Sequence, residues 1–231
     1  MLFRSVTGEQ GKQEDRDQDQ PDPRQQVGDV GHPHTRDHWR ILGLSRHGIR
    51  ISVGRRGPHA RYSAPVSPDV VVRRARTSDV PDIKRLVDTY AGRILLEKNL
   101  VTLYEAVQEF WVAELDGEVV GCGALHVLWA DLGEVRTVAV NPKVKSRGIG
   151  HAIVDQLLRV ARELQLQRLF VLTFETDFFT RHGFAEIEGT PVTSEVYEEM
   201  CRSYDIGVAE FLDLSYVKPN ILGNTRMLLI L

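Results

Sequence analysis

The stretch "TVAVNPKVKSRGIGHAIVDQLL", Thr137 to Leu158, decides the reading of the chain. An alternating apolar run stops at Pro142. Two glycines follow, Gly148 and Gly150, and an amphipathic helical pattern begins there. A strand that turns into a helix leaves free N–H groups and the positive end of a helix dipole facing an anion. Glycine lets the backbone approach a phosphate with no Cβ in between. Lys145 and Arg147 add positive charge, Ser146 and Ile149 complete the turn, and His151 offers its backbone N–H. Two familiar phosphate loops do not fit. Ile153 stands where G-x-G-x-x-G/A needs a third small residue, and G-x-x-x-x-G-K-[ST] is absent. On these residues alone, the glycines either hold a phosphate or simply cap a turn.

Outward from this turn, the chain reads as mixed α and β. "VVVRRA" from Val70 is a first strand. "TSDVPDIKRLVDTY" supplies cap candidates at Thr77, Ser78 and Asp79, with Pro81 early in a helix whose apolar stripe is Ile83, Leu86 and Val87. A second helical segment is expected around "LLEKNLVTLYEAVQEF". "FWVAELDGEVVGCGALHVL" reads as a hairpin turning at Asp116-Gly117. "EVRTVAV" is a strand. The helix after the turn places Ile153, Leu157, Ala161 and Leu164 on one face. "RLFVLT" is an apolar run suited to a strand buried on both faces. "DFFTRHGFAEIE" suggests a short helix and a strand, and "NTRMLLIL" a last strand.

Composition excludes several classes. The 231 residues carry 42% hydrophobic and 26% charged residues, enough to bury a core. Cys122 and Cys201 lie far apart and form no metal or disulfide framework. No run approaches membrane-spanning length, and no signal peptide opens the chain, so a cytoplasmic location with no membrane partner is expected. The net charge of −3 argues against a nucleic-acid partner. Residues 1–68 are rich in Gln, Asp, Arg, Gly and Pro. That composition predicts a disordered extension, or sequence upstream of the true start. Five of the eight histidines lie there, in no regular ligand pattern, and no metal is expected. The expected domain is residues 69–231.

The region around the glycine turn resembles the acetyl-CoA motif of the GNAT acetyltransferases. A strand, V-x-P, a basic loop ending R-G-x-G and a helix follow one another in "VAVNPKVKSRGIGHAIVDQLL". Lys145 stands where the motif usually has Gln or Arg. "FFTRHGF" is similar to the F-Y-x-x-x-G-F of the same superfamily, over a resemblance that spans about residues 70–231. The resemblance implies a GNAT fold: a central, mostly antiparallel sheet flanked by helices. It implies acetyl-CoA as co-substrate, its pyrophosphate on the loop amides from Lys145 to His151 and its pantetheine arm along Val138 and Val140. Phe179 stands where many of these enzymes carry a Tyr that protonates the leaving thiolate. Either the activity is lost, another group acts, or water protonates the thiolate.

"GEVRTVAV", "LQRLFVLT" and "ILLEKNLV" resemble the acetyltransferase domain of N-acetylglutamate synthases, in the short actinobacterial form. That implies acetyl transfer to the α-amine of L-glutamate in arginine biosynthesis, without the arginine-binding domain of the long form. Glu134 is the expected base and the Val138 N–H the expected oxyanion donor. Lys98, Arg136, Lys218, Asn224, Thr225 and Arg226 are the expected substrate contacts, since a dicarboxylate needs cations or strong donors. Another amino acid or small amine, or a non-catalytic acyl-CoA-binding module, are the alternatives. A homodimer is compatible with the sequence.

Overall fold

Asp116 and Gly117 take φ of 52° and 79°, the left-handed pair that closes a two-residue hairpin. This computed structural model describes residues 69–214 and 223–231. The calls on residues 1–68 and on Lys218 lie outside them. The elements run β1 (Val70–Arg74), α1 (Val80–Asp88), α2 (Leu100–Glu105), β2 (Phe110–Leu115), β3 (Glu118–Trp129) and β4 (Leu132–Val140). Then come α3 (Ile149–Glu163), β5 (Arg168–Thr173), α4 (Thr176–Thr180), β6 (Ala185–Glu186), α5 (Ser194–Met200), α6 (Ile206–Phe211) and β7 (Thr225–Ile230).

The sheet order is β1-β2-β3-β4-β5-β7-β6. Only β4 and β5 run parallel, joined across α3; the other pairs are antiparallel. This is the mixed GNAT fold that the resemblance implied. The expected strands form, and Ile83, Leu86 and Val87 are buried on α1. The second helical segment is shorter than expected. Asn99 caps α2 by accepting from the Thr102 N–H at 2.9 Å, so Lys98 stays in the loop before it. Leu164 also departs from expectation: it ends α3 and is exposed.

Both faces of the sheet are covered. Ile149, Ile153, Val154 and Leu157 of α3 pack on one face, with Val135, Leu169 and Val171. On the other face α1 packs on Val112, Cys122 and Ala139. Beside it α5 and α6 cover Leu132, Phe170 and Leu228. α3 comes close because β3 is bare of side chains beneath it. A Cβ at Gly123 would lie 2.6 Å from Ile153 Cγ2, and one at Gly121 2.9 Å from Ile153 Cδ1.

Candidate active site

β4 is paired with β5 only over Leu132–Glu134, then runs on alone on that side to Val140. The strands part at Glu134, and a cleft opens toward the glycine turn. Six residues at about 3.3 Å each give it roughly 20 Å of length, enough for an extended pantetheine arm.

A bulge in β4 sets which side chains face which way. Cys122 and Ala124 of β3 stand opposite Ala139 and Arg136, one residue more on β4 than on β3. Thr137 lies at the bulge with φ of 59°, a strained conformation for a β-branched residue. The extra residue resets the alternation. Glu134 and Arg136 face the side covered by α6, while Val138 and Val140 pack with the α3 cluster. The Val140 carbonyl already accepts from the Tyr90 hydroxyl at 2.6 Å, which narrows the backbone groups open to a ligand there.

At the far end of the strand, Ser146 and Gly148 take φ of 68° and 75° on either side of Arg147. Alternating handedness of this kind turns successive N–H groups inward, the form of backbone that holds anions. Gly148 caps α3, whose first-turn N–H groups have no acceptor within the helix. Lys145, Ser146 and Arg147 are exposed; Ile149 is buried and can offer only backbone. A Cβ at Gly150 would point to the Phe178 ring at 3.4 Å, so its smallness serves Phe178 as well as a ligand. The His151 ring lies on Phe178, centroids 4.5 Å apart. Phe179 was expected at the coenzyme. It is instead buried in the core, edge-on to Phe178 and Phe184, because the short helix α4 turns that face inward. Phe178 is the ring that stands beside the turn.

Glu134 is buried, and its Oε2 has no hydrogen-bond partner. Burial pushes its pKa up to about 7, against the pull of Arg136. A carboxyl poised near neutrality in a cleft is what proton abstraction requires. Around it stands a charged cluster. Arg136 donates to Glu109 at 2.9 Å and to both carboxylate oxygens of Asp205 at 3.0 Å, and lies 3.9 Å from Glu134 Oε2. His126, across the sheet from Glu134, is 2.8 Å from Glu109. Burial works against the charge of Glu109 and Asp205, but their partners outweigh it and both stay below the ordinary carboxylate range. Asp205 also caps α6, so the same carboxylate seats that helix over the site. A Cβ at Gly207 would meet Asp205 Oδ1 at 2.9 Å and Glu134 Oε2 at 3.4 Å.

Lys98 lies half-buried at this cluster. Burial, with Arg136 nearby, lowers its pKa. Among the described residues its ammonium has no ion-pair partner within 4.0 Å.

The other expected substrate residues fare unequally. Arg136 is held by two protein carboxylates. Arg226 donates to the backbone carbonyls of Gly189, Glu210 and Phe211, and its guanidinium lies 5.0 Å from the Phe170 ring centre. Both arginines were expected to meet substrate; their donors are instead largely spent on the fold, because helix ends and carboxylates stand nearer. Arg226 does line a small cavity of about 220 Å³ with Leu172, Glu210 and Asp213. Thr225 pairs with Thr173 at the start of β7, and Asn224 precedes it. Glu109, His126, Asp205 and Phe178 join the site from parts of the sequence that offered no motif. Among the described residues no helix is long and apolar enough to cross a membrane, and no three His, Cys, Asp or Glu could hold a metal.

Residues 81–184 match the acetyltransferase (GNAT) family. A Mycobacterium tuberculosis protein named amino-acid acetyltransferase is 83% identical over 164 residues, 70% of this chain and 94% of that protein. A Neisseria meningitidis amino-acid acetyltransferase is 33% identical over 118 residues, 50% of this chain but 27% of the relative. The crystal structure of Rv2747 from Mycobacterium tuberculosis in complex with CoA and NLQ is 83% identical with a TM-score of 0.68, covering 70% of this chain and 99% of that one. N-acetylglutamate synthase from Neisseria gonorrhoeae, complexed with coenzyme A and N-acetyl-glutamate, is 25% identical with a TM-score of 0.55, over 70% of this chain and 35% of that one. The chain therefore belongs to the GNAT acetyltransferase family, as an enzyme that uses acetyl-CoA and is related to amino-acid acetyltransferases and N-acetylglutamate synthases.

Proposed function

We propose that the chain transfers the acetyl group of acetyl-CoA to the α-amine of L-glutamate, the first step of arginine biosynthesis, by direct transfer in a ternary complex. Residues 69–231 form the catalytic domain. Glu134 carries the reading: a buried carboxyl, raised to about 7 and without a hydrogen-bond partner on Oε2, where β4 and β5 part.

Glu134 takes a proton from the α-ammonium. The amine nitrogen then attacks the thioester carbonyl, whose oxygen the Val138 N–H receives. The C–S bond breaks and the coenzyme thiolate takes a proton from water, since Phe179 can donate none; the hydroxide left behind takes the second proton from the nitrogen as the amide forms. The turn from Lys145 to His151 holds the pyrophosphate, with Lys145 and Arg147 adding charge. Arg136, fixed by Glu109 and Asp205, keeps Glu134 in place. Lys98 pairs with a carboxylate of the acceptor, and Lys218 and Asn224 supply further contacts to it. The complex of the gonococcal synthase with N-acetyl-glutamate supports a glutamate acceptor.

One observation favours a second acceptor. Arg136 and Arg226 are committed to protein groups, which leaves Lys98 as the uncommitted cation of the expected set among the described residues. A monocarboxylate such as glutamine needs one cation where glutamate needs two. Rates of thiol release from acetyl-CoA, compared across amino acids, test the proposal. Glutamate and glutamine should lead; a preference for unrelated amines would overturn it.

A further inference from the structure

Residues 89–99 join α1 to α2 and carry Lys98. The first half of this loop is a compact turn built on Tyr90. The Tyr90 carbonyl accepts from the N–H groups of Arg93, Ile94 and Leu95 at 3.2, 3.0 and 3.2 Å, and the Gly92 N–H donates to the Leu95 carbonyl at 3.0 Å. Tyr90 and Leu95 both pack on the core that α1 covers. Burial of this kind sets depth but not direction. Direction comes from the Tyr90 hydroxyl, which donates to the Val140 carbonyl at 2.6 Å. That carbonyl edges the cleft. The Asn141 N–H bonds to the Val120 carbonyl of β3 at 2.8 Å. Backbone groups along an antiparallel strand alternate in side, so Val140, one residue earlier, turns its own away from β3 and toward the opening. Lys145 of the glycine turn lies over the same ring, its Nζ 5.7 Å from the ring centre. Tyr90 thus meets the strand that carries Glu134 and Val138, the turn that follows it and the loop that leads to Lys98.

We propose that Tyr90 is a positioning residue for the acceptor: its hydroxyl fixes the Lys98 loop against β4, so that Lys98 and Glu134 keep one spacing. The inference rests on reading Lys98 as the partner of an acceptor carboxylate. An amino acid held there by its carboxylate must bring its amine to Glu134, a set distance along the same small molecule. The base and the oxyanion donor stand on β4, a strand paired into the sheet, while the cation stands on a loop. A lysine side chain is long and flexible, so where its ammonium can reach depends on where its backbone is held. The bond from Tyr90 to Val140 refers that backbone to the strand where the chemistry occurs, and reacting groups held in one geometry need no further ordering when they meet.

Initial rates of the full chain, of Tyr90→Phe, of Lys98→Ala and of the double variant test this, with glutamate and glutamine as acceptors. Phenylalanine keeps the ring in the core and beneath Lys145 and removes only the donor. Tyr90→Phe should raise the acceptor KM about tenfold and change the acetyl-CoA KM by less than about twofold. In the Lys98→Ala background the same change should add nothing, because a residue that acts through another has no effect once the other is gone. A hydroxyl with a structural role alone would lower the melting temperature and leave the acceptor KM where it was. An acceptor KM unmoved by Tyr90→Phe, while Lys98→Ala raises it, overturns the proposal and leaves Lys98 standing. Effects that multiply in the double variant overturn it as well, as does a rise confined to the acetyl-CoA KM. If Lys98→Ala moves no acceptor KM, or if the wild-type chain acetylates neither amino acid, the acceptor reading of Lys98 falls and the role of Tyr90 falls with it.

Discussion

Glu134 is pulled two ways, upward by its burial and downward by Arg136. Its pKa rises from the ordinary 4.5 to about 7 in the folded chain. Across that window the native state holds a proton that the unfolded chain has lost, so stability falls as pH rises from about 4.5 to 7. The loss is at most about 3 kcal/mol. Glu134→Gln should therefore be more stable than wild type at pH 8 by up to that amount, with no gain at pH 4, as urea denaturation at the two pH values would reveal. The same variant should lose about 10²- to 10⁴-fold in kcat/KM at pH 8, along with the limb of the wild-type profile that rises through pH 7. An unchanged profile would remove Glu134 from the chemistry. Lys98 and Arg226 should part company. Lys98→Ala should raise the glutamate KM about ten- to a hundredfold and leave that of acetyl-CoA alone. Arg226→Ala, which strips three carbonyls of their donor, should lose roughly 2 kcal/mol of stability and keep its discrimination between acceptors. A shift in acceptor KM without a fall in melting temperature would return Arg226 to the pocket. Glu134 stood out in the sequence because it is a carboxylate near the start of the strand that leads to the glycine turn, and the fold buries it where β4 and β5 part. His126 did not. Counting back from the Ala130-Asp131 turn pairs it with Val135, and only the irregularity between Val127 and Trp129 brings it opposite Glu134. Asp205 and Glu109 reach Arg136 across 69 and 27 residues, a distance no local pattern encodes.

Among the elements, α3 and the two strands beneath it do most to shape the site. The glycines of "GCG" let α3 settle onto β3, and the bulge at Thr137 turns Val138 and Glu134 to opposite sides of the sheet. Gly123→Ala sets a Cβ 2.6 Å from Ile153 and 3.4 Å from Val138. The branched Ile153 has no room to swing away, so the variant should lose about 1–3 kcal/mol and some acetyl transfer through displaced Val138. Chemical denaturation alongside initial rates would check both; wild-type stability would mean that α3 lifts without strain. Strands, hairpin turn and α3 were readable because alternation, Asp-Gly and the 3.6 period are local signals. The bulge was not, since a threonine in a left-handed conformation is contrary to its own preference and is imposed by the sheet. α5 and α6 also escaped: each is under eight residues, capped by Thr193 and Asp205, and defined by what it covers rather than by its own period.

At the largest scale, the described residues form a sheet that opens along one seam, with the glycine turn at one end of the opening and the buried Glu134 carboxyl at the other. The fold was legible because the motif at the turn and "FFTRHGF" lie on either side of that seam. The acceptor end was less so, because Arg136 and Arg226 look like substrate cations in sequence and are consumed by neighbours that only the fold supplies. The decisive measurement joins the two ends. Purified chain is given acetyl-CoA with and without L-glutamate, while free thiol and N-acetylglutamate are counted together. One thiol should appear for each N-acetylglutamate formed, and almost none without the amino acid. Coenzyme that binds tightly yet yields neither product with glutamate nor with glutamine would make this an acyl-CoA-binding protein and overturn the catalytic assignment of Glu134.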